Sequence, residues 1–323
     1  MNNKKEYFLL VAFNNGCVLK CKMCYWWKYN EIDNNTFSIC EWKKIIESLK
    51  ENNNLIFKDI TFVGGEPLLK EGILDMVHCA HKAGYSTTIT TNAYLIDEKM
   101  AKEILDSGLR RLNISLDSFD EQKHDFMRGV KGSYRKVMDT IDALGGKIDI
   151  GIYTIIMKPN LDDLVELVDR VQSDNRISGI NFQAIIKPLI TSFDDNWYQR
   201  ESYSFLWPDD IQKLIQVLTH LKERKKRGCK IQNTISQFDI FVEYFKNPQI
   251  FKYKTICNIH EKVIVINDKG DVSFCQSIEP IGNIKNEKLQ DILNNNQRIT
   301  QANIKIKQCR ELCNYLFNCY YEE

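Results

Sequence analysis

The chain has 323 residues, 43% of them hydrophobic and 27% charged, which is enough apolar content to bury a substantial core in a soluble globular fold. Its 44 Lys and Arg residues almost balance its 43 Asp and Glu residues, so the net charge is +1. This balance excludes a global electrostatic field that recruits nucleic acid or an anionic membrane, and we expect neither as a partner.

The N-terminal segment indicates the compartment. Two lysines precede the apolar run 7–13, which is too short for a secretory signal or a membrane span, so we expect a cytoplasmic protein. Thiols stay reduced there, and clustered cysteines more often bind metal than form disulfides. Of the eleven cysteines, Cys40, Cys79 and Cys229 are scattered along the chain, and we expect them to be small buried hydrophobic residues.

Short β-rich segments alternate with longer amphipathic ones over the first 186 residues. The predicted strands are 7–13, 59–65, 85–92, 109–117, 148–156 and 177–186, and the predicted helices are 38–51, 70–83, 97–107, 119–144 and 160–174. Several strands are almost continuously apolar, as parallel strands covered on both faces are. Six strand–helix units with right-handed crossovers predict an α/β fold, a partial (β/α)6 TIM-like barrel.

This alternation stops after residue 186. Residues 187–210 are rich in aromatic and acidic side chains, and loops of this length inside compact domains are usually functional or disordered. Two helices are predicted next, and residues 262–275 have the pattern of a β-hairpin. We expect a core at 1–186, a connecting region at 187–250 and a cysteine-rich extension at 251–323.

Three cysteines, Cys17, Cys21 and Cys24, follow the first predicted strand at the spacing Cys-x3-Cys-x2-Cys. Structural zinc normally has four ligands, and no fourth cysteine or histidine lies nearby. A [4Fe-4S] cluster with four protein ligands meets the same shortage. The spacing suits a cubane in which one iron accepts an exogenous ligand. At the C-terminal edge of a barrel, this site would lie where such folds place their chemistry.

This motif resembles the signature of the radical S-adenosylmethionine (SAM) enzymes, in which the open iron binds the amino and carboxylate groups of SAM. "GGEP" at 64–67 resembles the segment of that family that meets the SAM amino group, and "TTN" at 90–92 and "NISLD" at 113–117 resemble its polar strand ends. The resemblance assigns these residues to SAM binding: Gly64, Gly65, Glu66, Pro67, Thr91, Asn92, Asn113, Ser115, Asp117, Arg128 and Gln183. It places Gln183 near the adenine and Arg128 near the carboxylate, with a plain surface helix arginine as the alternative for Arg128.

One position departs from the family pattern. The residue before the third cysteine is usually aromatic in the family, and here it is Met23. We expect this change to alter the packing over SAM and to leave cluster ligation intact.

The C-terminal cysteines carry a second resemblance, to the auxiliary-cluster extension called SPASM or its shortened form, twitch. The resemblance makes five cysteines candidate ligands: Cys257, Cys275, Cys309, Cys313 and Cys319. The full extension has more cysteines and holds two auxiliary clusters, whereas five are enough for one auxiliary [4Fe-4S] cluster with one cysteine left over. A zinc knot and unligated core thiols are the alternatives.

The resemblance implies a radical SAM oxidoreductase. A reduced cluster would cleave SAM to a 5′-deoxyadenosyl radical that abstracts a hydrogen from the substrate, with flavodoxin or ferredoxin as external one-electron reductant. The auxiliary cluster would accept an electron from the substrate or bind the substrate. Peptide-oxidising relatives carry an acid after the Gly-x4-Cys element, where this chain has Gln276, so the catalytic base is unassigned.

Three hypotheses about function follow. The first is modification of a peptide or protein side chain, and the second is oxidation or rearrangement of a small polar metabolite such as a sugar or aminocyclitol. The third is a non-catalytic iron–sulfur or zinc protein, which has no use for a GGEP segment. Sixteen residues precede Cys17, so we expect no peptide-recognition domain ahead of it, which counts against the first hypothesis. Residues 187–210 either bind substrate or form a packed lid over the barrel.

Overall fold

The structure of the protein, a computed structural model, is built of alternating strands and helices. It describes residues 5–13, 16–28, 36–51, 55–188, 191, 193–254, 257–275, 277–313 and 318. The strands are β1 (Lys5–Phe13), β2 (Leu55–Gly64), β3 (Thr87–Thr91), β4 (Arg111–Ser115), β5 (Asp149–Ile156), β6 (Gly179–Ala184), β7 (Val263–Asn267), β8 (Asp271–Ser273) and β9 (Gly282–Asn283). The helices are α1 (Ile39–Ser48), α2 (Ile73–Lys82), α3 (Glu98–Ser107), α4 (Glu121–Arg128), α5 (Ser133–Leu144), α6 (Leu164–Ser173), α7 (Glu201–Ser204), α8 (Ile211–Lys226), α9 (Ile235–Lys246), α10 (Phe251–Lys254), α11 (Leu289–Asn294) and α12 (Asn296–Gln308).

The sheet has nine strands within the described residues, in the order β6-β5-β4-β3-β2-β1-β7-β8-β9. The strands from β1 to β6 are parallel to their neighbours, and helices connect them. Their apolar side chains, such as Phe62, Ile114 and Ile152, are fully buried because helices cover the sheet. This confirms the predicted α/β fold with a parallel sheet. Because all six strands run the same way, their C-terminal ends lie at one edge of the sheet.

Helix α4 ends earlier than the sequence predicts. We expected one helical stretch over 119–144, but α4 and α5 are separated by a turn that contains Gly129 and Gly132. Gly129 ends α4 and Gly132 precedes α5, and both have left-handed backbone angles, with φ of +71° and +85°, which cost least in glycine. The Asp125 carboxylate accepts hydrogen bonds from the backbone N–H of Gly132 and of Tyr134, and so fixes this turn. The break places Arg128 at the end of α4.

The predicted hairpin over 262–275 is present as β7 and β8, which pair antiparallel around Gly270, with φ of +88°. The sequence does not predict that β7 also pairs in parallel with β1. Residues Val263 to Ile266 are all buried, because β7 lies inside the sheet. The C-terminal strands therefore continue the sheet of the core, and the proposed three-part division stays a prediction.

The scattered cysteines do not all match their prediction. Cys40 is exposed on α1, so the expectation of a buried hydrophobic residue is wrong there, while Cys79 and Cys229 are partly buried. The Cys79 sulfur lies 3.9 Å from a Glu47 carboxylate oxygen at the protein surface. Among the described residues, no helix combines the length and the apolar character that a membrane crossing needs.

Candidate functional site

The loop that carries Cys17, Cys21 and Cys24 leaves the C-terminal end of β1 and is bonded to the neighbouring strand end. The backbone N–H of Glu66 donates to the carbonyl of Gly16, at 3.1 Å. Gly64, at the end of β2, has φ of +147°, and a Cβ there would lie 2.1 Å from the Phe13 carbonyl oxygen. Only glycine allows the two strand ends to approach so closely. The GGEP segment thus holds the start of this cysteine loop.

Helix α4 holds the other side of the cysteine loop. The backbone N–H groups of Lys20 and Lys22 donate to the carbonyls of Arg128 and Met127, at 3.2 and 2.9 Å. A Cβ on Gly129 would lie 2.1 Å from the Lys20 carbonyl oxygen, so this contact also requires glycine. The Trp27 indole closes the loop by donating to the Cys24 carbonyl, at 2.9 Å. The loop is therefore fixed between the barrel edge and the end of α4.

Hydrogen-bond donors surround the sulfurs of the cysteine loop. Cys17 accepts from the backbone N–H of Leu19, and Cys24 accepts from that of Trp26. The Asn92 side-chain amide also donates to the Cys17 sulfur, at 3.4 Å. Burial removes water from the thiolate form, and this raises the pKa of Cys17 to about 12 and that of Cys21 to about 11. A bound metal would have to displace these protons.

Glu66 joins the GGEP segment to the end of β3. Its carboxylate is almost completely buried and accepts hydrogen bonds from the Thr91 hydroxyl at 2.8 Å and the Asn92 backbone N–H at 2.9 Å. It also accepts from the Leu68 N–H at 3.1 Å. Burial raises the pKa of Glu66, and these donors oppose that rise. Glu66 thereby brings Asn92 to the Cys17 sulfur.

Asp117 and Arg128 form a buried ion pair behind Cys21. Arg128 Nε lies 2.8 Å from Asp117 Oδ2, and both residues are buried, so the alternative of a surface helix arginine is wrong. Asp117 Oδ1 accepts from the Ile155 N–H at 3.0 Å, and the Asp117 N–H donates to His124 Nδ1 at 3.2 Å. Burial lowers the pKa of His124 to about 3, and the charge of Arg128 adds to the effect. His124 is thus a neutral acceptor at physiological pH.

The other residues assigned to SAM lie on β4 and β6. Asn113 is buried, and its side-chain oxygen accepts from Arg111 Nε at 2.8 Å. Ser115 ends β4, and Gln183 lies on β6, and both are partly buried. Their direct contact with SAM stays a prediction, as it does for Gly65, Pro67, Thr91 and Asp117.

The second group of cysteines comes from three separate segments. Burial raises the pKa of Cys257 and of Cys275, and the neighbouring Cys309 adds to the rise at both. Cys313 packs against the core, whereas Cys319 and Gln276 lie outside the described residues. Three of the five predicted auxiliary ligands therefore lie within electrostatic range of one another.

The donors around these sulfurs suit an iron–sulfur cluster. Cys275 accepts from the Ser277 N–H at 3.2 Å, Cys309 accepts from the Glu311 N–H at 3.5 Å, and Cys257 accepts from the N–H of Ile259. Hydrogen bonds to the ligating sulfurs are one of the ways by which proteins tune such clusters. Within the described residues, no three Cys, His, Asp or Glu side chains gather around a single-ion position, so the fit to a cluster rests on this donor chemistry.

The aromatic segment 193–207 packs against the cysteine loop. The Tyr25 ring lies 5.8 Å from that of Phe193 and 6.2 Å from that of Tyr203. Trp197 and Trp207 are buried, which supports the expectation of a packed lid for these side chains. On the outside of the segment, Asp194 and Arg200 form an exposed ion pair at 3.2 Å.

Sequence reasoning missed two features near the site. Ala93 has φ of +63°, a strained backbone angle for a residue with a Cβ, directly after Asn92. Asn318 binds the edge strand β6 through both side-chain atoms: Oδ1 accepts from the Ala184 N–H at 2.6 Å, and Nδ2 donates to the Ala184 carbonyl at 2.9 Å. The sequence shows only that Asn318 is a polar residue next to a cysteine in the C-terminal segment, and it does not show that this segment binds β6. Nothing in the sequence marks the backbone angle of Ala93.

A parallel α/β sheet with a loop of three cysteines at its C-terminal edge has its thiols where barrel-type enzymes place their active sites. Residues 11–171 match the radical SAM superfamily, and residues 257–320 match an iron–sulfur cluster-binding domain, SPASM. The chain belongs to the radical SAM superfamily of enzymes and carries a C-terminal SPASM domain. Membership implies SAM and a [4Fe-4S] cluster as cofactors, and the SPASM domain implies auxiliary iron–sulfur binding. The hypothesis of a non-catalytic protein loses its support.

Individual relatives show how far the similarity extends. A GTP 3′,8-cyclase of Clostridium perfringens is 30% identical over 166 residues, 50% of each chain, so the chain spans about half the length of this curated relative. The structure of Streptococcus suis SuiB bound to S-adenosylmethionine has a TM-score of 0.68 at 17% identity, covering 98% of this chain and 75% of that chain. SuiB bound to precursor peptide SuiA gives a TM-score of 0.66. BtrN in complex with AdoMet and 2-DOIA gives 0.50 at 14% identity, covering 94% and 89%.

Proposed function

We propose that this chain reductively cleaves SAM at the site of Cys17, Cys21 and Cys24 and uses the product to abstract hydrogen from a substrate. When bound, the reduced cluster supplies an electron that breaks SAM into methionine and a 5′-deoxyadenosyl radical. The observation that carries the proposal is the linkage of three strand ends at one point. Glu66 bonds to Gly16 and to Asn92, and Asn92 in turn donates to the Cys17 sulfur.

In this proposal the chain's own residues hold and orient the reactants. The thiolates of Cys17, Cys21 and Cys24 would hold the cluster, and the strand ends around Glu66 and Asn92 would face the amino and carboxylate groups of SAM. Tyr203, which is buried and packs on Tyr25 of the cysteine loop, would exclude water from that side, with the buried Trp197 packed against Tyr203. Flavodoxin or ferredoxin is the proposed electron donor.

We further propose that Cys257, Cys275 and Cys309 hold one auxiliary [4Fe-4S] cluster. Their proximity and their N–H donors support this assignment. The fourth ligand would be Cys313 or Cys319. This cluster would take an electron from the substrate or bind the substrate, and the zinc knot is the competing assignment.

The test of SAM cleavage is anaerobic incubation of the reconstituted enzyme with dithionite and SAM, followed by measurement of 5′-deoxyadenosine. We expect release by the wild type and none by a variant with Cys17, Cys21 and Cys24 replaced by alanine. Cys40→Ala is the matched control, because Cys40 is an exposed thiol on α1 and should leave release unchanged. No release by the wild type, even with candidate substrates present, would contradict the proposal.

For the substrate, we propose a peptide or protein side chain. The SuiB fold covers nearly the whole chain, and SuiB has been solved with a precursor peptide. This support is at the level of the fold, because the identity is 17%. A small polar metabolite is the second candidate, and the match to BtrN, solved with AdoMet and 2-DOIA, favours it less strongly.

The two candidates separate by the sensitivity of the substrate to protease. Cell extract from the source organism is divided into a dialysable and a retained fraction, and each is added to the enzyme with SAM and dithionite. A peptide or protein substrate predicts that the retained fraction stimulates 5′-deoxyadenosine release and that protease digestion beforehand abolishes the stimulation. Stimulation by the dialysable fraction that survives digestion would instead identify a small metabolite.

A further inference from the structure

Cys21 differs from its two partners in the group that most favours its thiolate form. Cys17 and Cys24 each accept the backbone N–H of the residue two positions later. The Cys257, Cys275 and Cys309 sulfurs in the second group have the same local donor. For Cys21 the group that most favours the thiolate form is instead the charge of the Arg128 guanidinium, which lowers the pKa of the thiol against the effect of burial. Cys21 lies between Lys20 and Lys22, whose backbone N–H groups donate to the carbonyls of Arg128 and Met127, so the segment that carries this charge is bonded to the cysteine loop on both sides of Cys21.

Arg128 is built into this position. Its side chain is 8% exposed, and its Nε lies 2.8 Å from a carboxylate oxygen of Asp117, whose side chain is fully buried. The Arg128 carbonyl accepts from the Lys20 N–H, and Gly129 packs on the Lys20 carbonyl. The cysteine loop and the segment that carries the arginine are thus joined through the backbone.

We propose that Arg128 is a positioning residue that presents its charge to the Cys21 sulfur and thereby raises the reduction potential of the cluster at Cys17, Cys21 and Cys24. Reduction adds an electron to the cluster, and a nearby buried positive charge stabilises the added negative charge. Asp117 holds the guanidinium in place. This inference rests on the proposed assignment of the three cysteines as cluster ligands.

The proposal differs from the expectation that Arg128 binds the carboxylate of SAM. An arginine that serves SAM would change SAM affinity when it is replaced and would leave the potential of the SAM-free cluster as it was. An arginine that acts through Cys21 would change the potential of the SAM-free cluster. The two roles are therefore distinguishable by measurements made before and after SAM is added.

The experiment is an anaerobic redox titration of the reconstituted full chain, monitored by the EPR signal of the reduced cluster that changes when SAM is added. The variants are Arg128→Gln, Arg128→Lys and the double variant Asp117→Asn/Arg128→Gln, which removes both charges and avoids an unpaired buried carboxylate. Arg135→Gln is the matched control. Arg135 lies on α5 with its side chain 74% exposed and pairs with Glu121. Iron content and SAM affinity are measured for each variant.

We expect Arg128→Gln to lower the reduced fraction at a fixed ambient potential about tenfold, which is about 59 mV for a one-electron couple. The double variant should shift in the same direction by less, because the opposing carboxylate is removed too. Arg128→Lys should lie near the wild type, since it keeps the charge, and Arg135→Gln should not shift. Iron content should stay near wild type in all four.

A wild-type reduction potential in Arg128→Gln and in the double variant would overturn the proposal. If SAM affinity is weakened in these same variants, the result would support the expectation that Arg128 binds the carboxylate of SAM. If Arg128→Gln does not fold, the double variant decides alone. A wild-type enzyme without any SAM-responsive EPR signal would be a failure of the proposed cluster assignment instead. A normal wild-type signal with unshifted variants would be a failure of this inference alone.

Discussion

At the scale of single residues, Glu66 is the clearest case of a side chain whose role is visible only in three dimensions. The sequence presents it as an acceptor for the SAM amino group. In the structure its carboxylate accepts from Thr91, Asn92 and Leu68, so it also holds the strand ends in place. Each buried donor that loses its acceptor costs about 1–3 kcal/mol.

We therefore predict that Glu66→Ala lowers both the stability of the fold and the formation of 5′-deoxyadenosine, and lowers SAM cleavage more than iron content. Glu66→Gln should be intermediate, because an amide can still accept from some of these donors but opposes the Asn92 N–H with its own. Glu71→Gln, at an exposed position nearby, is the control. Urea unfolding, iron content and product release measure the three effects. Release of 5′-deoxyadenosine at the wild-type level by Glu66→Ala would contradict this prediction.

His124 gives a pH dependence whose sign can be worked out. The pKa of His124 is about 3 in the folded protein and about 6.5 in the unfolded chain. Between these two pH values the unfolded chain binds a proton at His124 and the folded protein does not. Its contribution therefore destabilises the fold as the pH falls below about 6.5. At about pH 5 the loss is roughly 2 kcal/mol.

The matching prediction is that His124→Gln loses less stability than the wild type between about pH 7.5 and about pH 5. The difference between the two proteins should change by roughly 2 kcal/mol over this range. Urea unfolding of both proteins side by side measures it, because losses common to both cancel. If the free energies of unfolding of the two proteins change equally with pH, the pKa of His124 is not lowered in the folded state, and its description as a buried neutral acceptor is wrong.

At the scale of elements, the segment 193–207 combines a buried and an exposed part. Trp197, Tyr203 and Trp207 are buried, as expected of a packed lid; Tyr203 packs on Tyr25 of the cysteine loop, and Trp207 packs on Tyr244 and Phe245 of α9. Asp195 forms ion pairs with Lys187 and Lys252 and so belongs to the packed part. The exposed Asp194 and Arg200 are the part of the segment available to a substrate.

We predict that Asp194→Ala and Arg200→Ala lower substrate-coupled turnover while uncoupled SAM cleavage and iron content stay near wild type. An exposed ion pair contributes only about 0–1 kcal/mol, so the fold should be unaffected. The comparison of 5′-deoxyadenosine release with and without substrate measures the effect. Wild-type coupled turnover in both variants would leave the segment as packing and move the search for substrate contacts into the barrel.

The break between α4 and α5 shows where element prediction from sequence reaches its limit. The segment 119–144 contains apolar residues at helical spacing on both sides of Gly129, so periodicity favours one long helix. The break depends on Asp125, which binds the following turn, and on the close approach of Gly129 to Lys20. The contact of Gly129 with Lys20 joins residues more than a hundred positions apart, and a local sequence pattern carries no information about such a contact.

At the scale of the whole molecule, the six parallel strands were predictable because their apolar runs are continuous and separated by amphipathic helices. The pairing of β7 with β1 was not, since these strands are far apart in the sequence and each strand is compatible with several neighbours. The first cysteine group was predictable from spacing alone. Of the buried residues behind this cysteine group, the sequence predicted a role for Asp117 and Arg128 but not for His124. The burial of all three follows from packing.

The central claim is that the first cysteine group binds one [4Fe-4S] cluster and the C-terminal group binds another. Iron and sulfide analysis of the anaerobically reconstituted chain tests it most directly. We predict about eight irons in the wild type and about four in the variant with Cys17, Cys21 and Cys24 replaced by alanine. Wild-type iron content in that variant, or stoichiometric zinc with no iron uptake by the wild type, would contradict the claim.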